Sequence, residues 1–259
     1  MILSKVFGKL LSSAAFRSGN RLIPDDDIRT ADLPKVNGTD VTLSVLYGQQ
    51  ICSNISSERI GETLGYIQEA NSIDLSEFDN RLPEGDEAKG SVNIWPGQHY
   101  RLLAAVVKKL QPKNIIEVGT YTGLSYLSLT KYMPADGKIT TFDVVPVHEF
   151  KCNAVQTDEI NSNNRSQIVG DLSDPDFFSK HISLFEACDL FFIDGPKDGK
   201  FEYAFWKLLS NVNLKESSLI ILDDIRIPNM IKFWNEIENS RIDVTSFGHF
   251  TGTGILWPK

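Results

Sequence analysis

The stretch Asn114-Ile-Ile-Glu-Val-Gly-Thr-Tyr-Thr-Gly123 decides how this chain is read. An apolar run of strand length ends in a glycine turn, and a helical pattern begins at Leu124. Gly119 and Gly123 let a backbone pass close to a ligand where a side chain would collide. Their spacing is Gly-x-x-x-Gly, not the Gly-x-Gly-x-x-Gly of dinucleotide folds, and Glu117 stands two residues before the first glycine. A carboxylate there repels a pyrophosphate, which normally rests on an uncompensated helix N-terminus. It suits a ligand that carries an ammonium group.

A second acid points the same way. Asp143 closes the next apolar run, Lys138-Ile-Thr-Thr-Phe-Asp143, about twenty residues past Gly123. Doubly wound folds place there a carboxylate that accepts hydrogen bonds from ribose hydroxyls. Strand, glycine turn, helix and second acid in that order favour an adenosine ligand over two polar strand ends of no function. S-adenosylmethionine, with a sulfonium and an ammonium group, fits the acidic setting.

Outward from this stretch the pattern alternates. A helix starting near Pro96 leads into the strand 114–118, then helix 124–132, strand 138–143, helix 149–161 and strand 166–170. Helix 175–184, strand 189–194, helix 200–209, strand 218–223 and helix 229–239 follow. Such alternation predicts a doubly wound α/β fold, its parallel sheet covered on both faces. The runs 242–247 and 252–257 flank a short turn with no helix between them, which predicts a C-terminal antiparallel hairpin. Before residue 90 the pattern is helical, over 41–54 and 56–70, with Ser56 or Ser57 as N-cap and Glu58 in the first turn. The polar stretch 81–90 has the composition of a loop or lid. The expected division is therefore a helical extension over 1–90 and a ligand-binding domain over 91–259.

Composition narrows the function. A net charge of −8 and a pI near 5.1 argue against a broad nucleic-acid face and for a small-molecule ligand. Cys52, Cys152 and Cys188 lie far apart without metal spacing, and their odd number forbids a complete disulfide framework, so a cytoplasmic setting is expected. No apolar run approaches the length of an integral membrane span. Residues 1–21 carry Lys5, Lys9, Arg17 and Arg21 and no acid, beside an apolar stripe at helical spacing. The stripe is read as packing on its own domain or on a second subunit, in preference to a membrane surface or a transit peptide. His99, His148 and His181 show no ligand spacing, and a lone loop histidine such as His249 is more often solvated or structural than a base. The tryptophans read as packing residues, and no nucleophile elbow is present.

The most specific residues are Phe192-Ile-Asp-Gly-Pro-Lys197 and Leu222-Asp-Asp-Ile225. With the glycine turn and the hairpin, they make residues 90–257 resemble the class I S-adenosylmethionine-dependent methyltransferases. Within that class they resemble the metal-dependent O-methyltransferases of catechol and caffeoyl-CoA type. The resemblance implies a mostly parallel seven-stranded sheet ending in the hairpin, and often a homodimer. It implies that Glu117, Gly119, Tyr121, Gly123 and Ser125 surround the methionine part, with Asp143 on the ribose, Asp171 beside the adenine and Val92 closing over the cofactor. Asp194, Asp223 and Asp224 would hold the metal, with Asp194 also at the cofactor, and Lys197 would contact the reacting hydroxyl. Asp224 stands where the catechol enzyme has Asn, and Pro196 replaces an aromatic residue.

The residues support that ligand set independently. Neighbouring parallel strands lie about 4.8 Å apart, so carboxylates at two adjacent strand ends can converge on one cation. Three oxygen ligands suit Mg²⁺ or Mn²⁺. Without a metal they would repel one another and raise at least one pKa. The plainer alternative is that these aspartates cap the helices that follow them. The expected activity is methyl transfer to a hydroxyl of a small molecule with two adjacent oxygens, a catechol-like phenol or a sugar diol. A nicotinamide-dependent oxidoreductase and a non-catalytic adenosyl-ligand-binding protein are the rivals.

Overall fold

The computed structural model describes residues 55–85, 88–93, 98–150 and 152–259. The expected helices at 1–21 and 41–54, the helix start at Pro96, Trp95 and Cys52 lie outside the described residues. Seven strands form one sheet: β1 (Asn114–Val118), β2 (Lys138–Asp143), β3 (Arg165–Val169), β4 (Leu190–Ile193), β5 (Leu219–Asp223), β6 (Arg241–Asp243) and β7 (Thr253–Leu256). Their order is β3-β2-β1-β4-β5-β7-β6, with the first five parallel and β7 antiparallel to both β5 and β6.

Side chains two apart along each central strand enter the same layer, as the pleat requires. Ile115, Ile139, Phe192 and Ile221 pack into one core cluster, while Ile116, Phe142, Phe191 and Ile220 pack into the other. The first layer is covered by α1 (Ser57–Ala70), α2 (Ser76–Asp79), α3 (His99–Leu110) and α4 (Leu124–Thr130). Tyr66, Ile67, Ala70 and Phe78 of the N-terminal segment share that core with Leu102, Leu103 and Val106 of α3. After α5 (Thr157–Ile160), the other layer takes α6 (Pro175–Ser179), α7 (Ile182–Glu186), α8 (Phe201–Leu209) and α9 (Pro228–Glu236). Ser56 caps α1 by accepting from the Arg59 N–H at 3.2 Å, as its sequence predicts.

Two expected helices are shorter than their patterns. Over 149–161 only Thr157–Ile160 is helical, behind a single 3-10 turn at Val147–Glu149. Tertiary demand overrides propensity there: the Ala154 N–H donates to the Thr122 carbonyl at 2.7 Å, and the Val155 side chain fills the space beside Gly123. Over 175–184 the helix breaks at Lys180–His181, where both N–H groups bond three residues back, and the His181 ring turns edge-on to Phe142 and Phe177. The hairpin strands shrink to 241–243 and 253–256, with a 3-10 turn at Thr245–Phe247 between them.

Strand order reverses direction between β1 and β4. Crossovers leave to opposite sides at such a point, and a crevice opens beyond the carboxyl ends of those two strands.

Candidate active site

A cleft of about 1140 Å³ lies at that crevice, lined by Gly119, Tyr121, Asp143, Asp171 and Asp194 among others. The glycine turn is built for the chain itself as much as for a ligand. Gly119 has φ +98°, and a Cβ on it would stand 2.1 Å from the Asp194 carbonyl oxygen. Gly123 has φ +80°, and a Cβ there would meet Val155 at 2.7 Å. The Cβ positions are thus taken by the end of β4 and by the chain after β2, while Gly119 itself still lines the cleft. Tyr121, itself at φ 41°, packs edge-on to Phe150 across the cleft wall.

Asp143 fixes the turn. Its Oδ2 accepts from the Thr120 and Tyr121 N–H groups at 2.8 and 3.0 Å, and its Oδ1 from Val145 N–H at 3.0 Å. Burial nonetheless raises its pKa above the usual value against those bonds. Two carboxylate oxygens have about four acceptor sites, so capacity remains for a ligand facing the cleft. Asp171 accepts from the Ser173 N–H and hydroxyl at 2.8 and 2.7 Å. Glu117 is fully buried on β1, and neither of its oxygens has a hydrogen-bond partner. Burial pushes its carboxyl up to about 8, with the Thr141 and Ser125 hydroxyls working against that shift. Ser125 is buried on α4. Neither Glu117 nor Ser125 lines the cleft. Val92 departs from the expectation of closing over the cofactor: it is buried in the core beside α3, because the 3-10 turn Ser91–Asn93 aims it inward.

The second half of the site follows β4 and β5. Ile193 pairs with Leu222, which sets Asp194 beside Asp223. Oxygens of Asp194, Asp223 and Asp224 all lie within 4.8 Å of one another. Asp224 and Lys197 both adopt left-handed backbone, at φ 59° and 60°, a strain that recurs at functional sites. The Lys197 turn is held by Glu202, whose oxygens accept from the Lys197 and Gly199 N–H groups at 2.8 and 3.1 Å. Its ammonium donates to Asp194 and, at 2.8 Å, to Asp224 Oδ2.

None of the three aspartates caps a helix, which removes the plainer alternative. Asp198 caps α8 by accepting from the Lys200 and Phe201 N–H groups at 2.8 and 2.9 Å, and α9 starts at Ile227-Pro228 without a side-chain cap.

The clustered groups shift in opposite directions. Burial pushes Asp194 up to about 6; Lys197 opposes the shift, and Asp223 and Asp224 reinforce it. Asp224 is held far below its usual value, because Lys197 and His249 outweigh burial. Burial would lower Lys197, yet the three carboxylates hold it well above its ordinary value.

Sequence reading missed two histidines. His99 at the start of α3 and His249 in the β6–β7 loop both face Asp223, with Nδ1 to Oδ1 distances of 3.6 and 3.7 Å. Burial lowers His99 to about 4, while the adjacent Asp223 and Asp224 carboxylates lift His249 to about 10 despite burial. They are 150 positions apart, so no local spacing could reveal them.

Residues 87–227 match the family described as O-methyltransferase. The chain belongs to the O-methyltransferase family. It is similar to a probable caffeoyl-CoA O-methyltransferase 3 of Dictyostelium discoideum, 32% identical over 137 residues, covering 52% of this chain and 53% of that protein. It is also 28% identical over 169 residues to a catechol O-methyltransferase of Niastella koreensis, covering 64% and 70%. The chain thus spans about half the length of the first of these relatives. A SAH-bound methyltransferase of Podospora anserina has a similar shape, with 15% identity over 76% of this chain and 88% of that one and a TM-score of 0.49. Among the described residues of the chain, no helix is long and apolar enough to cross a membrane.

Proposed function

We propose that this chain transfers the methyl group of S-adenosylmethionine to a hydroxyl of a small molecule bearing two adjacent oxygens, with Mg²⁺ or Mn²⁺ held by Asp194, Asp223 and Asp224. The observation that carries this is the position of Asp194, which lines the cleft and belongs to the carboxylate cluster at once. Cofactor and cation would then meet at one residue.

The residues fit both groups. Glu117 is a buried carboxyl with no hydrogen-bond partner, next in sequence to Val118 and Gly119 of the cleft wall, and an ammonium that displaced that wall would satisfy it. Asp143 keeps acceptor capacity toward the cleft for ribose hydroxyls, and Asp171, which also lines the cleft, would stand beside the adenine. Asp223 Oδ1 likewise has no hydrogen-bond partner, and three hard oxygen donors suit a small divalent cation. When bound, the ion supplies Lewis-acid polarisation that lowers the pKa of a chelated hydroxyl. S-adenosylmethionine supplies an activated methyl group on a cationic leaving sulfur.

Lys197 has a role that depends on charge. Held by three carboxylates its amine is an ammonium, a donor suited to an oxyanion and unfit as a base. Were the same carboxylates to hold a divalent cation, their pull on Lys197 would weaken and burial would favour its neutral amine. Lys197 would then accept the hydroxyl proton or stabilise the oxyanion. Orientation of the nucleophile in line with the sulfonium would supply much of the rate.

The test is a thermal-shift and calorimetric comparison of S-adenosylmethionine and nicotinamide cofactors, with and without Mg²⁺, followed by turnover on catechols and on sugar diols. Binding of S-adenosylmethionine with Mg²⁺-dependent turnover supports the reading. Stabilisation by a nicotinamide cofactor alone refutes it.

A further inference from the structure

We propose that His99, His249 and Asp223 form a second cation site, built for an imidazole-preferring transition ion of the Zn²⁺ or Co²⁺ kind, sharing Asp223 with the carboxylate cluster. The inference goes beyond the methyl-transfer reading and adds two side chains, His99 and His249, to the shared Asp223.

Three elements converge to make it: His99 from α3, Asp223 from the end of β5 and His249 from the β6–β7 loop. Their candidate ligand atoms lie within 4.8 Å of one another. Both Nδ1 atoms face the same Asp223 oxygen, from 3.6 and 3.7 Å, too far for a hydrogen bond, and His249 Nδ1 also lies 3.4 Å from Asp224 Oδ1. His99 Nδ1 and Asp223 Oδ1 are buried and have no hydrogen-bond partner. His99 is 4% exposed, so water does not readily satisfy it. The two imidazole rings lie 5.0 Å apart at 43°, neither stacked nor edge-on.

Those distances suit a common ion. Tetrahedral nitrogen and oxygen ligands about 2.0–2.2 Å from a metal lie about 3.3–3.5 Å from each other, a few tenths of an ångström inside the observed separations. Donor type then sets the preference. Imidazole suits Zn²⁺, Co²⁺ and their neighbours, whereas Asp194, Asp223 and Asp224 alone present a hard oxygen set for Mg²⁺ or Mn²⁺. One contact must change on loading: His249 Nδ1 lies 2.6 Å from the Thr251 hydroxyl, which also donates to Asp224. Thr251 can keep Asp224 while His249 gives its Nδ1 proton to solvent and offers the freed lone pair to the ion.

The test uses the full chain stripped with EDTA and titrated with Co²⁺ in excess Mg²⁺, followed by visible absorption and calorimetry. One Co²⁺ should bind with the intense bands of a tetrahedral site and resist Mg²⁺. His249→Ala, in a loop, should weaken Co²⁺ by about tenfold or more, since even changes behind the ligands of metal sites cost ten- to hundredfold. His99→Phe should do the same, and Asp194→Ala should leave Co²⁺ affinity intact while removing Mg²⁺ binding. Should the native chain hold no Co²⁺ against Mg²⁺, the proposal is overturned whatever the variants do. It is also overturned if Asp194→Ala, and neither histidine change, abolishes Co²⁺ binding. Failure of methyl transfer would be seen separately, because no readout here involves S-adenosylmethionine.

Discussion

Replacing Gly119 by alanine separates two explanations of the glycine turn. If the glycine only clears room for a ligand, Gly119→Ala should fold normally and bind S-adenosylmethionine poorly. The structure argues otherwise. The new Cβ would stand 2.1 Å from the Asp194 carbonyl oxygen, about 1 Å inside ordinary contact, and the backbone would sit at φ +98°. Left-handed backbone costs a non-glycine residue about 1–2 kcal/mol, and forcing an atom into a packed site costs about 1–3 kcal/mol more. The sum is about 2–5 kcal/mol. In a chain of this size, 1 kcal/mol moves the melting temperature by about 2–4 °C, so a fall of about 5–15 °C is expected. Because the clashing atom belongs to Asp194, divalent-cation affinity should fall with it. Gly61→Ala is the control: it lies mid-helix in α1 with nothing within 4 Å of a new Cβ, and should hold or gain about 0.5–1 kcal/mol. Differential scanning calorimetry of both variants without ligand is the assay. Native melting of Gly119→Ala with weakened cofactor binding would refute the packing argument.

The remaining predictions concern charge. Glu117 has a folded pKa of about 8, above an unfolded value near 4.5, so its stabilising protonated form is complete below pH 4.5 and lost as pH rises through 8. Melting temperature of the ligand-free chain should fall across that window, and Glu117→Gln should flatten the slope; an unchanged slope would show that another group titrates. Divalent-cation affinity should weaken as pH drops through about 6, because Asp194 must lose its proton to ligate, and calorimetry at pH 5 and 7 gives the sign. EDTA should abolish methyl transfer and leave most S-adenosylmethionine affinity, with Mg²⁺ restoring turnover; full activity in metal-free enzyme would falsify the cation mechanism. Lys197→Ala should keep cation binding yet lose turnover by about a hundredfold or more, measured at saturating substrate. An effect confined to KM would reduce Lys197 to a binding residue.

Sequence alone determined the alternation of strands and helices, the antiparallel end and the residues at the strand tips. β1 and β2 match their predicted bounds, because apolar runs of strand length closed by Gly119 and Asp143 leave one periodicity open. It also marked the carboxylates Asp194, Asp223 and Asp224, since they stand at the ends of two buried strands and strand ends converge in a parallel sheet, and the family resemblance added Lys197. Tertiary structure decided what local pattern cannot encode. The segment after β2 gives up its helix because Gly123 needs Val155 beside it and the Thr122 carbonyl needs Ala154. Gly119 answers to Asp194, 75 positions later, so its role as packing space was invisible in its own neighbourhood. His99 and His249 meet over Asp223 only because α3 crosses one layer while the last hairpin folds back beside β5. Periodicity is a one-dimensional signal of which face is buried; which side chains then share that burial is set by the order of strands in the sheet.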